Sequence, residues 1–358
     1  MTSIPAVKDE LREFTVSLSL CKGVGALSFR RIMEEFNGIE GVHAAYEEGR
    51  LAQLGELSIP DWSQLHEQEY LCIWEEDYPP SLAAIPDAPP VLYYKGNRQV
   101  LKRKQVAVVG SRKVNTYGEK VTRLYTKSLV DNGYAVVSGL AFGVDTLAHE
   151  ECIRNGGATV AVLPCDLRSN PLAGNGRLAE DVIRSGGILV SEQFPGKLFH
   201  KGMFAMRNRI IAGLGEFTLI TMAGSKSGAA ITAKCAFDYG REVYAIPAGI
   251  DQDLSKGCNN LIRDGVAALS LSPNDILPNF SYERAAEGQQ LHLVDREVLA
   301  NLSDAAQNLY KQIQNSPINL DEVVVRFDRS LPDALSLLTE LTISGLIEQT
   351  ENGQYTCI

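Results

Sequence analysis

Short apolar runs alternate with amphipathic stretches through the middle of the chain. Each run is only a few residues long, and the stretches between the runs have apolar residues at helical spacing. Continuous apolar strands separated by helices are typical of an α/β fold with a doubly wound, mostly parallel sheet. The predicted strands are 106–109, 135–138, 159–163, 188–191, 217–221 and 243–246, and the clearest predicted helices are 118–132 and 144–154.

The segment before residue 91 has a different pattern. It is predicted as short helices, with Gly-Val-Gly at 23–25 between two of them and a proline-rich connector at its end. The glycine turn resembles a helix-hairpin-helix element, whose exposed amides can meet a phosphate. A plain turn between two helices is the alternative, and the acidic surroundings favour it.

The C-terminal segment is predicted as a winged-helix-like domain. Three helix-like stretches precede two short extended runs, and Asn352-Gly353 between those runs is a strong hairpin signal. A helix that reads duplex DNA needs lysine or arginine near the phosphates. The last predicted helix, 331–344, contains Asp333 and Glu340 and no base. We therefore expect it to contact protein or to be structural. The predicted domains are 1–90, 91–280 and 295–358.

Composition places the chain among ordinary globular proteins. It has 358 residues, 45% hydrophobic and 22% charged, which suggests two or three domains. No apolar run approaches the roughly 20 residues of a membrane helix, and the charged N-terminus does not resemble a secretory signal. The seven cysteines include no CxxC pair, which argues against a disulfide framework and a zinc site. We predict a cytoplasmic protein with no membrane partner.

Charge is distributed unevenly along the chain. The formal net charge is −10, but residues 34–90 have a net charge of −12 and residues 91–280 a net charge of +7, from 23 bases and 16 acids. Residues 98–127 alone contain nine bases and one acid. A basic centre between acidic ends predicts an anionic ligand for the middle domain.

Three loops of the middle domain combine glycines or hydroxyls with basic residues where a predicted strand meets a helix. They are Gly110-Ser111-Arg112, the run from Lys201 to Arg209, and Ser227-Gly228 with Thr232. Ligands of open α/β sheets bind beyond the carboxyl ends of the strands, and amides at helix N-termini favour anions. The loops therefore predict a phosphate-binding groove, with ordinary packing turns as the alternative. The glycine fingerprints of dinucleotide and P-loop sites are absent.

Three side chains of the middle domain are candidates for roles other than electrostatic binding of an anion. Phe204 lies between bases and is the candidate for stacking on a nucleobase, with a core phenylalanine as the alternative. Asp145 and His149 are four residues apart on one predicted helix. Acid–base chemistry is one interpretation of this pair, but a helix-start carboxylate beside a partly buried histidine is favoured. No catalytic residue and no metal ligand is predicted.

Five motifs together resemble the DNA-processing protein A (DprA/Smf) family, in the family's order, across about 100–270. The resemblance implies an extended Rossmann-like domain that binds single-stranded DNA, usually as a homodimer. Separately, we predict no cofactor. It also implies a role in loading the RecA recombinase during natural transformation, an N-terminal helical (SAM-like) domain and a C-terminal winged helix. The motifs are Val108-Val109-Gly110-Ser111-Arg112, Ser138-Gly139-Leu140-Ala141 with Gly143-Val144-Asp145 and Ala148-His149, Arg207-Asn208-Arg209-Ile210-Ile211-Ala212-Gly213, Ser227-Gly228 with Ile231-Thr232-Ala233, and Gly257-Cys258-Asn259 with Leu261-Ile262.

The resemblance also assigns site residues by matching position. Arg112, Lys201 and Phe204 would contact DNA by this match. Apart from the match, we expect loop amides together with Arg112, Lys201, Arg207 and Arg209 to hold the phosphates. The chain departs from the family at Leu163-Pro164-Cys165-Asp166, where Leu-Gly-Cys-Gly is usual, and in a stretch near 198–205 that is usually richer in proline. These departures leave the loop geometry between 164 and 204 open. The residues that would line or shape the pocket are Gly110, Ser111, Gly139, Arg207, Asn208, Ser227, Gly228, Thr232 and Asn259.

Two other functions are compatible with the same loops. A nucleotide-binding sensor would hold one phosphate per loop, although the basic run 98–127 has more charge than a mononucleotide needs. A phosphoribohydrolase-like enzyme on a related fold would need a catalytic glutamate, and Cys235 takes its place if Thr232 matches the threonine of that motif. Binding of single-stranded DNA without catalysis is the preferred prediction.

Overall fold

A nine-stranded sheet forms the centre of the larger of two units in this computed structural model. The larger unit is Met1–Phe280, and the smaller unit is Ser281–Ile358. The structure describes residues 4–51, 57, 60–65, 68–168, 175–277, 302–315, 318–327, 329–350 and 353–357.

The sheet is doubly wound and mostly parallel, as predicted. Its strands are β1 (Glu69–Cys72), β2 (Val91–Gly96), β3 (Gln105–Gly110), β4 (Ala135–Ser138), β5 (Thr159–Val162), β6 (Ile188–Ser191), β7 (Phe217–Met222), β8 (Glu242–Ala245) and β9 (Ala268–Leu269). Their order across the sheet is β1-β2-β6-β5-β4-β3-β7-β8-β9. Strand β2 pairs antiparallel with β1 and β6, and the other neighbours are parallel.

Helices cover both faces of this sheet. They are α4 (Pro80–Ala83), α5 (Thr116–Asp131), α6 (Val144–Arg154), α7 (Gly176–Arg184), α8 (Gly202–Leu214), α9 (Ala229–Asp238) and α10 (Lys256–Arg263). Val106 and Val108 of β3 pack with residues of α5 and α6, whereas Ala107 and Val109 pack with residues of α8 and α9. Burial on both faces explains why the strands are continuous apolar runs.

The predicted elements agree with the observed ones to within a few residues. The helix predicted at 144–154 is α6, with the same two ends, and the helix predicted at 118–132 begins two residues earlier. Asn115 caps that earlier start, because its side-chain oxygen accepts a hydrogen bond from the Gly118 amide at 2.9 Å. Within the described residues, every helix is too short or too polar to cross a lipid bilayer.

Among the described residues, three α-helices precede the sheet. They are α1 (Ile4–Ser19), α2 (Ala26–Glu35) and α3 (Ile39–Glu47), which share an apolar cluster. The turn at 23–25 joins α1 to α2, and the Gly25 amide in it donates to Ser28 Oγ at 2.8 Å. The predicted domain division at residue 90 falls between β1 and β2, which pair with each other. The edge of the sheet therefore begins inside the segment assigned to the N-terminal helices.

The C-terminal unit has the helix and hairpin order of a winged helix. Its helices are Asp304–Asn315, Leu320–Arg326 and Leu331–Ile343, and its strands are β10 (Ile318–Asn319), β11 (Ile347–Gln349) and β12 (Gln354–Cys357). The strands are ordered β10-β12-β11 and pair antiparallel. Gly353 has a φ of +76°, as the predicted hairpin requires, and Asn352 lies outside the described residues.

Candidate nucleic-acid interface

A cleft opens where the direction of winding in the sheet reverses. Strands β3 and β7 are neighbours, but the chain continues from β3 to β4 on one side and from β7 to β8 on the other. The loops that follow β3 and β7 therefore diverge, which leaves a crevice beyond their carboxyl ends. We call it the switch-point cleft, and its volume is about 540 Å³. Its basic lining residues are Arg112, Lys113, Lys201, Arg207 and Lys226.

Tight backbone packing shapes the loop after β3. A Cβ atom on Gly110 would lie 2.5 Å from a methyl of Val144 and 2.6 Å from the Met222 carbonyl oxygen. Glycine is thus required by the packing of β3 against β7 and α6, rather than by the approach of a ligand. The Ser111 amide donates to the Met222 carbonyl at 2.7 Å. This places the exposed side chain of Arg112 at the mouth of the cleft.

Arg112 pairs with the aromatic ring that the sequence singled out. Its guanidinium carbon is 5.1 Å from the centre of the Phe204 ring, a cation–π distance. Phe199 packs edge-on against the same ring, with 5.4 Å between ring centres. Phe204 is partly exposed, so one part of an aromatic surface faces the cleft beside a positive charge.

The residue before α8 supplies a further charge, and the second turn of the helix supplies structural support. Lys201 precedes the helix and is exposed. Arg207 is buried, and its guanidinium donates to the carbonyls of Gly139 (2.7 Å) and Val162. A Cβ atom on Gly139 would lie 2.5 Å from that guanidinium, which explains the glycine. Burial lowers the pKa of Arg207 to about 10, against the opposing attraction of Asp145.

Arg209 lies two residues further along α8 and outside the cleft. Its guanidinium donates to the Asp87 carbonyl at 2.5 Å and forms ion pairs with Asp87 and Glu192. Consecutive helix residues differ by about 100°, so positions 207 and 209 cannot face the same way. The prediction that Arg209 holds phosphates in the same groove is corrected on this ground.

The loop after β4 is held by the buried carboxylate of Asp145. This carboxylate accepts hydrogen bonds from the Gly139 amide at 3.1 Å and the Ala141 amide at 3.4 Å. Burial raises the pKa of Asp145, and nearby Arg207 acts in the opposite direction. His149 is fully buried, with Nδ1 2.7 Å from Thr159 Oγ1, and burial lowers its pKa to about 3. The structure therefore shows a helix-start carboxylate and a buried histidine at these two positions.

The loop after β7 ends at the N-terminus of α9. Ser227 Oγ accepts a hydrogen bond from the Ala229 amide at 3.2 Å, and Asn208 reaches the Gly228 carbonyl at 3.4 Å. Thr232 is buried, whereas Lys226 is exposed. Together these groups place a helix N-terminus and a lysine in the same cleft as Arg112, an arrangement that favours an anion.

The structure brings most of the predicted site residues to one cleft. Asn259 is an exception, because its side chain bonds both the amide (3.1 Å) and the carbonyl (2.9 Å) of Ala248 and fixes that loop. Gly139 lies under Arg207, outside the cleft lining. The predicted residues that line it are Gly110, Ser111, Arg112, Lys201, Phe204, Arg207, Asn208, Ser227, Gly228 and Thr232.

Lys113 and Lys226 also line the cleft, although neither was among the predicted site residues. Both are exposed, and each directly follows or precedes a predicted residue in a strand-to-helix loop. The sequence signal that could have identified these two lysines is their position beside predicted site residues in those loops. Within the described part of the chain, none of the ion pairs involves Arg112, Lys113, Lys201 or Lys226.

The basic run 98–127 does not form one track. Arg98 and Lys102 pair with Asp77, and Arg123 and Lys127 pair with acids near them. Residues 103–104 precede β3, so they lie at the opposite end of that strand from the cleft. The charge of this run therefore cannot distinguish a polynucleotide from a mononucleotide ligand.

Two family models match this chain. The model described as DNA recombination-mediator protein A matches residues 69–281. The model described as DprA winged helix domain matches residues 296–353. The first match begins at β1, and the second covers the described helices of the C-terminal unit and β11, and ends one residue before β12.

Similar proteins occur among curated sequences and solved structures. Protein Smf of Synechocystis is 30% identical over 390 residues (96% of this chain, 98% of the relative). The DNA processing protein DprA of Streptococcus pneumoniae is 42% identical over 210 residues (59% and 73%). The X-ray structure of DprA from that species has a TM-score of 0.62 and 32% identity (76% and 98%). DprA of Helicobacter pylori, described for its unique single-stranded DNA binding mode, has a TM-score of 0.53 and 27% identity (59% and 94%).

Proposed function

This chain belongs to the DprA/Smf family of DNA recombination-mediator proteins, and we propose that it binds single-stranded DNA in the switch-point cleft. One observation carries the proposal: the Arg112 guanidinium lies 5.1 Å from the Phe204 ring. A cation beside an aromatic face is what a site for phosphate and base requires. The H. pylori relative, which binds single-stranded DNA, supports the same ligand.

The charges of the cleft support a phosphate-binding role for its exposed cations. Arg112, Lys113, Lys201 and Lys226 lie around it, and none is neutralised by an acid of the described residues. The N-terminus of α9, which lines the same cleft, adds partial positive charge. Guanidinium groups bind phosphate oxygens in pairs, whereas lysines act as point charges. Binding by these groups depends on the backbone and not on base sequence.

The aromatic part of the cleft favours an unpaired strand. A duplex hides the faces of its bases, whereas a single strand exposes them to stacking on Phe204. Exposed cations alone would hold either form. The preference for single strands is therefore expected to depend on the aromatic ring, and overall affinity on the cations.

The wider role follows from family membership. We propose that the chain hands bound single-stranded DNA to the RecA recombinase, that it acts as a cytoplasmic homodimer, and that it serves natural transformation or recombination. None of these steps needs bond chemistry by this chain. Asp145, the one acid among the described residues that line the cleft, is bound by backbone amides. Cys235 does not line the cleft, which supports a non-enzymatic role over a phosphoribohydrolase.

Fluorescence anisotropy with three ligands tests the proposal. Labelled oligothymidine, a matched duplex and competing thymidine monophosphate would be titrated over a range of salt concentrations. We expect the unpaired strand to bind most tightly and its affinity to fall as salt rises. In a plot of the logarithm of the binding constant against the logarithm of the salt concentration, the slope should be about −0.7 for each phosphate neutralised. Equal affinity for the duplex would contradict single-strand binding. Tighter binding of the mononucleotide would instead favour the nucleotide sensor.

A further inference from the structure

The loop between β4 and α6 exposes a second aromatic ring near the cleft. This β4–α6 loop comprises residues 139–143, and Phe142 within it is 56% exposed. Position 142 is not among the residues of the five family motifs given above. An aromatic side chain with more than half of its surface in water forfeits the stabilisation that burial would supply.

The loop is held in one conformation by side chains on both sides. Besides the Asp145 contacts to its amides, the Asn175 amide group donates to the Leu140 carbonyl at 2.9 Å. Thr146 Oγ1 donates to the Ala141 carbonyl at 2.8 Å. Phe142 is thus carried by a loop whose backbone is fixed before any ligand arrives, which lowers the entropic cost of binding.

The conformation of the loop is itself unfavourable for its sequence. Leu140 has a φ of +56°, in the left-handed region that side chains with a Cβ avoid. Among described residues other than glycine, only Asn37 also has a positive φ, and asparagine tolerates it better. The Leu140 side chain is buried in an apolar cluster, while Phe142, two residues later, faces water. Strain of this kind is concentrated at ligand sites.

The loop packs directly on the backbone of Arg112. A Cβ atom on Gly143 would lie 2.7 Å from the Arg112 carbonyl group and 2.3 Å from the Ser111 oxygen. The Val144 amide donates to that Ser111 oxygen at 3.1 Å. Arg112 therefore has the loop of Phe142 against its backbone and the ring of Phe204 beside its guanidinium.

We propose that Phe142 is a second base-stacking platform of the same DNA site. The base of one nucleotide would stack on Phe204 and that of a neighbouring nucleotide on Phe142, with the phosphates along the strand held by Arg112 and Lys113. A nucleobase is the chosen occupant because the loop packs against the backbone of Arg112, whose side chain forms no ion pair with the described residues and matches a phosphate. The loop also continues the wall of the cleft through Ala141. The inference rests on the proposed function and extends its site from one base to at least two.

Substitutions at position 142 separate stacking from charge and from bulk. We expect Phe142→Ala and Phe142→Leu to weaken oligothymidine binding about tenfold, because each variant loses the stacking of one base. Phe142→Tyr, which keeps the ring, should bind like the wild type. The salt dependence should be the same in all four proteins, since no charge changes. The dissociation constant of thymidine monophosphate, calculated from its competition, should not change, because one nucleotide does not need both rings.

A tryptophan reporter gives an independent readout. In Phe142→Trp, fluorescence from position 142 should be quenched when oligothymidine stacks on it, after subtraction of the signal from the two native tryptophans. Wild-type affinity in Phe142→Ala, or an unquenched Phe142→Trp that still binds DNA, would overturn the second platform and point to a protein contact for this ring. A wild-type protein that fails to bind oligothymidine would end both this inference and the proposed function. Because Phe142 is exposed, thermal unfolding of the variants should match the wild type, and a large loss of stability would also contradict the proposal.

Discussion

The switch-point cleft and the last helix of the C-terminal unit both expose apolar side chains, but the charges beside them differ. In the cleft, Phe204 has Arg112 against it and Lys201 nearby. Helix Leu331–Ile343 exposes Leu331 and Leu335 one turn apart, and Ile343 is 82% exposed. Its charged residues are acids, and it contains no base. An aromatic ring beside unpaired cations suits a polyanion. In the C-terminal helix the acids repel phosphates, and the exposed aliphatic residues suit a protein partner.

The two regions also differ in how they are assembled. The exposed face of helix Leu331–Ile343 comes from one continuous segment, at the spacing of neighbouring turns. The cleft takes its residues from loops after several strands and from α8, so it exists only when the sheet has formed. The comparison predicts that DNA affinity depends on the cleft and is independent of the C-terminal helix.

The largest effect is expected from removing two cleft cations. Arg112→Ala combined with Lys201→Ala should weaken oligothymidine binding about a hundredfold, because hydrogen bonds to charged groups contribute about 1.5–3 kcal/mol each. The salt slope should also become shallower, by about 0.7 for each phosphate that the variant no longer neutralises. Both quantities can be measured by anisotropy titrations at several salt concentrations.

The matched control removes two exposed arginines elsewhere in the larger unit. Arg154 and Arg184 are more than half exposed and do not line the cleft. Arg154→Ala with Arg184→Ala should leave affinity within about twofold, since distant exposed charges are screened by salt. An equal loss of affinity in this control would mean that net charge, and not the cleft, holds the DNA.

The next largest effect concerns pH and the core beneath the cleft. Burial lowers the pKa of His149 to about 3 in the folded protein, against about 6.5 when unfolded. The unfolded chain therefore binds the proton more readily, so this contribution to stability is intact above pH 6.5 and is lost as pH falls towards 3. Between pH 7 and pH 5 the loss is expected to be about 2 kcal/mol.

Comparison with His149→Gln isolates this contribution. The unfolding transition of the larger unit would be followed by calorimetry at pH 7 and pH 5 in both proteins. The fall in stability should be smaller in the variant, because glutamine does not titrate. Asp145, whose pKa burial raises, acts with the opposite sign, but it is present in both proteins and cancels. An identical pH dependence would show that His149 is not buried as a neutral group.

The smallest effect is expected from deleting the C-terminal unit. A chain ending at residue 280 should bind oligothymidine within about twofold of the full chain, because helix Leu331–Ile343 offers phosphates no cation. The same titration measures it, and thermal unfolding checks that the shortened chain is folded. A weakening comparable to that of the Arg112 and Lys201 variant would remove the contrast between the two regions.

Local sequence predicted the elements of the fold and the loops of the site. The strand at 106–109 was recognisable because both faces of β3 are buried, which leaves no polar residue in the run. The hydroxyl, glycine and arginine at 110–112 marked a ligand loop, and the structure brings Ser111 and Arg112 to the cleft. Glycine at position 110 was explained from sequence by the close approach of a ligand. In the structure it is required because Val144 and Met222 already occupy the space of a Cβ atom.

Arg207 and Arg209 show where prediction from sequence stops. Both belong to one basic run, and nothing in the residues beside them distinguishes their environments. In the fold, Arg207 is buried under the cleft against two carbonyls, and Arg209 pairs with Asp87 and Glu192 on another side of α8. The partners of each arginine come from distant parts of the chain, so only the packed structure brings them together.

The sequence alone determined which segments are strands, which are helices and which loops contain the cations and rings, because periodicity and turn chemistry act over a few neighbouring residues. Tertiary structure decided which of those cations stay free, which acids neutralise the others, and which rings share a wall with Arg112. Those outcomes depend on strand order and on which helix face is buried, and both are set by contacts between residues far apart in the chain.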